Sequence, residues 1–167
     1  VFVSEAENTA AALARSIELL ANETDEQSAT YILGALVELH PGIAEGHYGL
    51  ARLSMRANNF TAALANAERA ATLKPNWVEA QLLYARALLI AGRTEDGLNL
   101  AERLIEKDTS LEVRLEYAEL LLSAGNGVEA KKLLDTVLTD NPGLPEAVRA
   151  LGFLTLTQNE LEESKGH

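Results

Sequence analysis

The chain has 167 residues, of which 47% are hydrophobic, so it is long enough for one ordinary domain or a short array of repeats. Its 25 acidic and 14 basic side chains give a net charge of −11, which argues against nucleic acid as a partner because a polyanion would be repelled. The absence of cysteine excludes disulfides and thiolate chemistry, and it favours the periplasm or cell envelope over the cytoplasm.

The composition does not indicate a membrane protein. No apolar run approaches the roughly 20 residues that cross a bilayer, so we expect no direct membrane insertion. Because the sequence begins at Val1 with neither Met nor a signal segment, we expect it to be a piece of a longer protein.

The first two predicted helices cover residues 4–21 and 24–39. Ser4 and Thr24 each stand three residues before a Glu or Gln, which is the capping-box pattern of a helix start. The second helix is expected to end at His40-Pro41-Gly42, because proline cannot continue the backbone hydrogen bonds.

From Pro41 onward, three kinds of residue recur at a fixed spacing. The links between helices carry Pro41, Pro75, Asp108 and Pro142. Ten residues after each link residue stands a small residue: Ala51, Ala85, Ala118 and Gly152. Seven residues further on stands a turn residue: Asn58, Gly92, Gly125 and Asn159. A period of 33 or 34 residues is typical of stacked helical arrays.

Each period predicts a helix, a short turn, an antiparallel second helix and a link, so the fold class is all-α with about nine helices. We predict a single array over residues 1–167, with repeats at 4–41, 42–75, 76–108 and 109–142 and a truncated repeat at 143–165. The last full helix is expected at 144–157, and Glu160 is expected to begin its truncated partner helix. Four apolar residues of that last full helix would be only partly covered: Val148, Leu151, Leu154 and Leu156.

The recurring positions resemble the tetratricopeptide repeat (TPR) pattern. A large residue followed by a small one marks the first helix of that pattern, as in Tyr84-Ala85 and Tyr117-Ala118. A small residue marks its second helix, and the matching positions are Ala63, Gly97 and Ala130. Two departures stand out. The Trp position of the family holds His47, Gln81, Arg114 and Val148, and its Phe position holds Ala67, Ala101 and Leu134.

This resemblance implies a right-handed superhelical solenoid of antiparallel helix pairs, in which the first helix of each pair lines a concave face. It also implies that a partner peptide or protein binds on that face. The clamp with which one TPR subgroup grips a C-terminal carboxylate is not matched, since its places hold Tyr48, Gly49, Arg52, Leu82, Leu83 and Arg86. The repeats as a whole are similar to those of bacterial envelope TPR adaptors and lipoproteins.

Glutamate recurs at the start of the first helix of successive repeats, at Glu45, Glu79, Glu112 and Glu146. One explanation is that acids favour helix N-termini, where the backbone dipole is positive. The other is that these residues form the acidic lip of a groove that also has an arginine row and an apolar floor. On this second explanation, the predicted partner-binding residues are Glu45, Tyr48, Arg52, Arg56, Glu79, Leu82, Arg86, Leu89, Glu112, Leu115, Glu119 and Leu122.

The remaining candidate residues do not indicate chemistry. Trp77 is either a packing wedge between repeats or an aromatic partner contact. His40 and His47 have no third ligand at metal spacing, and no nucleophile with a matching base is recognisable. We therefore predict no catalytic, metal-binding or cofactor-binding residues, no cofactor and no enzyme activity.

The function that these observations predict is an interaction scaffold or adaptor for a protein or peptide of mixed charge. One alternative is an assembly module that self-associates end to end, forming a homodimer through its terminal helices. A second alternative is a regulatory domain of a larger enzyme or chaperone, such as a thioredoxin-like or protease-associated protein.

Overall fold

The computed structural model describes residues 5–20 and 25–165, except for the side chains of residue 7, residues 18–20 and residues 157–165. Within these ranges the chain forms nine α-helices and no strand, which confirms the all-α fold class. The helices are α1 (Glu5–Leu20), α2 (Glu26–Leu39), α3 (Ala44–Arg56), α4 (Phe60–Leu73), α5 (Val78–Ile90), α6 (Thr94–Lys107), α7 (Leu111–Ser123), α8 (Gly127–Asp140) and α9 (Pro145–Lys165). In the described ranges, no helix has both the length and the apolar character needed to span a bilayer.

The helices group into two compact units, residues 1–93 with α1 to α5 and residues 94–167 with α6 to α9. In the first unit α2 packs against α1 and α3, and α4 packs against α3 and α5. The first helices of successive pairs also touch, since α3 contacts both α1 and α5. In the second unit α7 packs against α6, α8 and α9, and α8 packs against α9. A single array that runs through both units stays a prediction.

Three of the four predicted turn residues end a first helix in the same way. Asn58, Gly92 and Gly125 have φ angles of 57°, 79° and 80°, which lie in the left-handed region. The N–H groups of the turn residue and of the next residue bond carbonyls of the last helical turn, at 2.8 to 3.0 Å. This pair of bonds is the Schellman motif, which satisfies the last carbonyls of the helix while the chain reverses.

The predicted link residues begin a tight turn after each second helix. Pro41, Pro75 and Pro142 each follow a helix C-cap, and the N–H two residues after the proline bonds the C-cap carbonyl at 3.0 to 3.3 Å. Where proline is missing, Asp108 Oδ1 accepts the N–H of Ser110 at 2.9 Å, and the Ser110 hydroxyl caps α7. This link is one residue shorter than the others, which explains the spacing of 33 instead of 34.

Small residues are buried at the recurring positions of both the first and the second helices. The first-helix residues Ala51, Ala85 and Ala118 are all 0% exposed. The small positions of the second helices are buried as well: Ala63, Gly97 and Ala130. The core of the first unit has two clusters, one of α1, α2 and α3 around Leu33 and one of α3, α4 and α5 around Ala51. In the second unit, the core of α7, α8 and α9 forms around Ala118 and Leu134.

The cap predicted for the second helix is wrong by one residue. α2 begins at Glu26, and its N-cap is Asp25, whose Oδ1 accepts the N–H of Gln27 at 3.0 Å. The hydroxyl of Ser28 and then the N–H of Gln27 lower the pKa of Asp25, because both donate to its ionised form. The predicted capping residues Ser4 and Thr24 lie outside the described residues.

The end predicted for the last full helix is also wrong. α9 does not turn at Asn159 but continues to Lys165, so Glu160 does not begin a separate helix. Asparagine costs little inside a helix, and residues 160–165 contain neither Gly nor Pro to end one. The partial last repeat is therefore a single long helix.

Replacing Gly92 with Ala should lower the free energy of unfolding by about 1–2 kcal/mol, because an L side chain is strained in the left-handed region. No atom lies within 4 Å of the added Cβ, so the effect comes from the backbone alone. Gly34→Ala inside α2 is the matched control; it also meets nothing within 4 Å and should raise the free energy by about 0.5–1 kcal/mol. Urea unfolding followed by circular dichroism measures both, and changes of equal sign would contradict the turn assignment.

Replacing Ala85 with Leu should lower the free energy of unfolding by about 1–3 kcal/mol, because Ala85 is fully buried on α5 and its site would have to admit a larger side chain. Ala65→Leu is the matched control, since Ala65 lies on an exposed side of α4 and should tolerate the change. The measurement is urea unfolding of both variants beside the parent. If Ala85→Leu unfolded like the parent, the assignment of Ala85 to the packed core would be wrong.

Candidate functional site

An aromatic pair joins α3 to the start of α5 in the first unit. Tyr48 lies on α3, and Trp77 is the N-cap residue of α5, which the link at Pro75 brings back toward α3. The ring centroids are 4.6 Å apart, and the ring planes are tilted by 37°. Both residues are half-buried. Trp77 thus packs between successive repeats and still presents part of its surface.

Three cationic side chains surround this pair, one from each of three elements. Arg15 of α1 places its Cζ 5.8 Å from the Trp77 ring centroid, and Lys74 at the end of α4 places its Nζ 5.7 Å from the same ring. Arg52, one turn after Tyr48 on α3, places its Cζ 5.9 Å from the Tyr48 ring. Cations at such distances are attracted by the negative face of an aromatic ring. These five residues are called the Trp77 cluster below.

Two predicted site residues of α3 are engaged in ion pairs. Glu45 pairs with Lys74, and the side chain of Glu45 is only 13% exposed. Arg56 pairs with Glu26 of α2, which draws its guanidinium toward the second helix of the preceding pair. Tyr48 and Arg52 are the two predicted residues of α3 that the structure brings into the cluster.

The predicted residues of α5 differ in exposure. Leu82 is only 4% exposed, so it supports helix packing and offers no surface to a partner. Glu79, Arg86 and Leu89 are half-buried. The prediction of an apolar floor at Leu82 followed from its helical spacing alone, which does not distinguish a groove residue from a core residue.

The predicted residues of the second unit all lie on α7. Glu112 and Glu119 are exposed. Leu115 and Leu122 are half-buried and pack against the core cluster of α7, α8 and α9. Glu119 occupies the repeat position that holds Arg52 and Arg86 in the first unit, so the charge at this position is reversed in the second unit.

Polar side chains replace the Trp of the family and bond to the neighbouring backbone. The Nε2 atom of His47 lies 3.3 Å from the carbonyl oxygen of Pro41, and Gln81 Nε2 donates to the carbonyl of Pro75 at the same distance. His47 Nδ1 also lies 3.0 Å from Asn66 Oδ1 on α4. In the second unit, Arg114 Nη1 donates to Asp140 Oδ2 at 2.7 Å and so joins α7 to α8.

The half-buried tyrosines Tyr84 and Tyr117 have raised pKa values. Burial raises the pKa of Tyr84, and the Glu68 carboxylate adds to this rise; the Tyr84 hydroxyl donates to Glu68 Oε1 at 3.2 Å. Burial also raises the pKa of Tyr117, with further contributions from Glu102 and Glu129. Across the described ranges, no three His, Asp or Glu side chains are grouped closely enough to hold a metal ion.

Sequence reasoning did not find two members of the Trp77 cluster, Arg15 and Lys74. Lys74 stands directly before the link at Pro75, and its place beside Trp77 follows from the tight turn of that link. Arg15 reaches the cluster because α1 packs against α3. No local sequence pattern predicts this contact between helices.

Comparison with known proteins supports the repeat architecture. Residues 91–152 match the family described as Tetratricopeptide repeat. No curated protein sequence matches the chain. The three solved structures described next are 14–18% identical to this chain, so they show the fold alone.

Three such structures illustrate the likeness. One is YrrB, described as a TPR protein with an unusual peptide-binding site; its TM-score is 0.64, with 18% identity over 86% of this chain and 74% of that chain. MamA from Desulfovibrio magneticus RS-1 has a TM-score of 0.70, with 14% identity over 95% of this chain and 90% of that chain. A tetratricopeptide repeat protein from Parabacteroides merdae has a TM-score of 0.78, with 14% identity over 93% of this chain and 62% of that chain.

Proposed function

We propose that this chain is an interaction scaffold that binds another protein or a peptide, because residues 91–152 match the tetratricopeptide repeat family and the fold is similar to solved TPR structures. The repeat family is generally non-catalytic, and the proposed scaffold has no enzyme activity of its own. Binding takes place on the face of the first helices, which the resemblance to the family makes the concave face. The observation that carries this proposal is the Trp77 cluster, where two half-buried rings meet three cationic side chains.

The composition of this face suits recognition of a protein. Trp, Tyr and Arg are the side chains that most often dominate the energy of an interface, because they combine apolar area with polar ends. Arg52 and Arg86 stand one repeat apart and attract acidic groups, whereas Glu79 repels a uniformly acidic ligand. The partner of this proposal therefore carries mixed charge. The description of YrrB as a protein with a peptide-binding site supports a peptide segment as the class of ligand.

Capture of partners by the whole chain, identified by mass spectrometry, provides the ligand for the test. Changing Arg52 and Arg86 together to Glu should weaken its binding by roughly 2–4 kcal/mol if both contacts are desolvated. Calorimetry measures the affinity, and circular dichroism checks that the variant keeps its helices.

The matched control reverses the same charges on second helices. Arg69 of α4 and Arg103 of α6 are exposed, and changing both to Glu alters the net charge by the same amount. This control should bind almost like the parent. Equal losses from both double variants would mean that only net charge matters, and no loss from Arg52/Arg86 would remove the first-helix face from the proposal.

A second candidate function is assembly through the end of the chain, and one observation favours it. Val148, Phe153 and Leu156 of α9 are 51%, 61% and 65% exposed. Gly152 stands among them at the position where Ala51 and Ala118 are fully covered by a second helix. A helix face with several exposed apolar side chains is suited to a second copy of the same face. The third possibility, a regulatory domain of a larger protein, stays a prediction.

If α9 mediates assembly, light scattering should show dimers whose fraction rises with concentration, and changing Val148 and Leu156 together to Gln should abolish them. Val128→Gln is the matched control, because Val128 is 61% exposed on α8, away from this face. A chain that is monomeric at the highest concentration, or dimers that persist in the Val148/Leu156 variant, would contradict assembly through α9.

A further inference from the structure

The Trp77 cluster concentrates positive charge in an acidic protein. The whole chain carries a net charge of −11, but residues 1–93 contain ten acidic and seven basic side chains, whereas residues 94–167 contain fifteen and seven. Three of the seven basic residues of the first unit converge on the single pair of rings. Within the cluster, Glu45 pairs with Lys74. The first unit therefore has a local positive surface that its total charge does not reveal.

Stacking on a ring leaves a guanidinium able to bind an anion. The attraction to the ring uses the flat face of the group, while its N–H donors point outward in the plane and match a carboxylate with two parallel hydrogen bonds. Arg15 is exposed, and its Cζ lies 5.8 Å from the centroid of the half-buried Trp77 ring. A carboxylate at Arg15 would therefore bring the rest of its own side chain close to the indole.

A second cation fixes the direction and spacing of the ligand. The path from Arg15 to Arg52 runs through 5.8 Å to the Trp77 centroid, 4.6 Å to the Tyr48 centroid and 5.9 Å to Arg52 Cζ. An extended peptide advances about 3.3 Å per residue, so these three steps span about five residues at most. Two carboxylates in one short segment can reach both guanidinium groups, whereas a single chain terminus supplies only one.

We propose that the Trp77 cluster is a docking site for the acidic side chains of a partner segment, with apolar residues between the acids resting on Trp77 and Tyr48. This inference rests on the proposed scaffold function and identifies the part of a mixed-charge partner that meets the first unit. Arg15 and Arg52 bind the acids, and Lys74 stays attached to Glu45 and keeps that carboxylate from repelling them.

The test uses Trp77 as its own reporter, because it is the one tryptophan of the chain. The probe is a short peptide that contains Glu-Ser-Leu-Ser-Glu, because alternate side chains of an extended chain share one face and both Glu and the Leu can then meet the cluster. It is acetylated and amidated so that neither terminus is charged. Titration into the whole chain should change the Trp77 emission, and the affinity should fall as salt is added because the charges are exposed. A copy with Gln in place of Glu should bind at least about tenfold more weakly.

Variants and a further peptide separate the possible outcomes. Arg15→Gln should weaken the Glu peptide by about tenfold, while Arg69→Gln on the exposed side of α4 should leave its affinity unchanged. The Gln peptide with a free C-terminal carboxylate tests the chain terminus as the source of the acid. If that peptide bound as tightly as the Glu peptide, the assignment to acidic side chains would be overturned.

Two further results would also overturn the docking site. Neither of them by itself contradicts the scaffold function, which is tested separately. In the first, the Glu and Gln peptides bind equally and Arg15→Gln has no effect. In the second, no peptide changes the Trp77 emission. In either case the scaffold function survives if the captured partner still loses affinity with Arg52 and Arg86 changed to Glu, and it falls if that loss is absent as well.

Discussion

Paired helices in this protein approach each other at alanine residues that water does not reach. Ala51 and Ala118 are fully buried where α3 packs against α4 and α7 packs against α8, and Ala85 is fully buried on α5, which packs against α4. Close crossing gives many dispersion contacts between main chains, which are small singly and large together. It also makes the position intolerant of larger side chains, because a packed interior does not deform continuously. Every turn and link must then return the chain to the same crossing, which explains the fixed period.

The first helices of this chain also differ from the family in where their large aromatic residue lies. The position where the family carries Trp holds His47 and Gln81, which reach the carbonyls of Pro41 and Pro75. Hydrogen bonds thus tie the links at Pro41 and Pro75 to the following helices, at the position where the family would place an indole. The tryptophan of this chain stands instead at the N-cap of α5, against Tyr48. The chain therefore holds its links with polar contacts and places its largest aromatic group where part of it meets solvent.

The sequence predicted most helix ends and links of this fold correctly, because each of these signals has a local physical cause. Gly92 ends a helix since its backbone accepts a positive φ, and Pro75 starts a link since it cannot donate a hydrogen bond. Asn159 was misread because asparagine is compatible with both a turn and a helix, and only its surroundings decide. Leu82 was misread for a related reason, since helical spacing gives a face but does not say whether that face is covered.

The candidate site was only half predictable, because its charges come from contacts between elements. Tyr48 and Arg52 lie one turn apart on α3, so their proximity could be read from the chain. Arg15 and Lys74 belong to α1 and to the end of α4, and they meet at Trp77 only after the repeats have packed. Bringing three cations together would be unfavourable in isolation, and the two rings and Glu45 offset that repulsion. A surface that needs such compensation is specific in its charge, and this is the physical basis of the acidic segment proposed as its ligand.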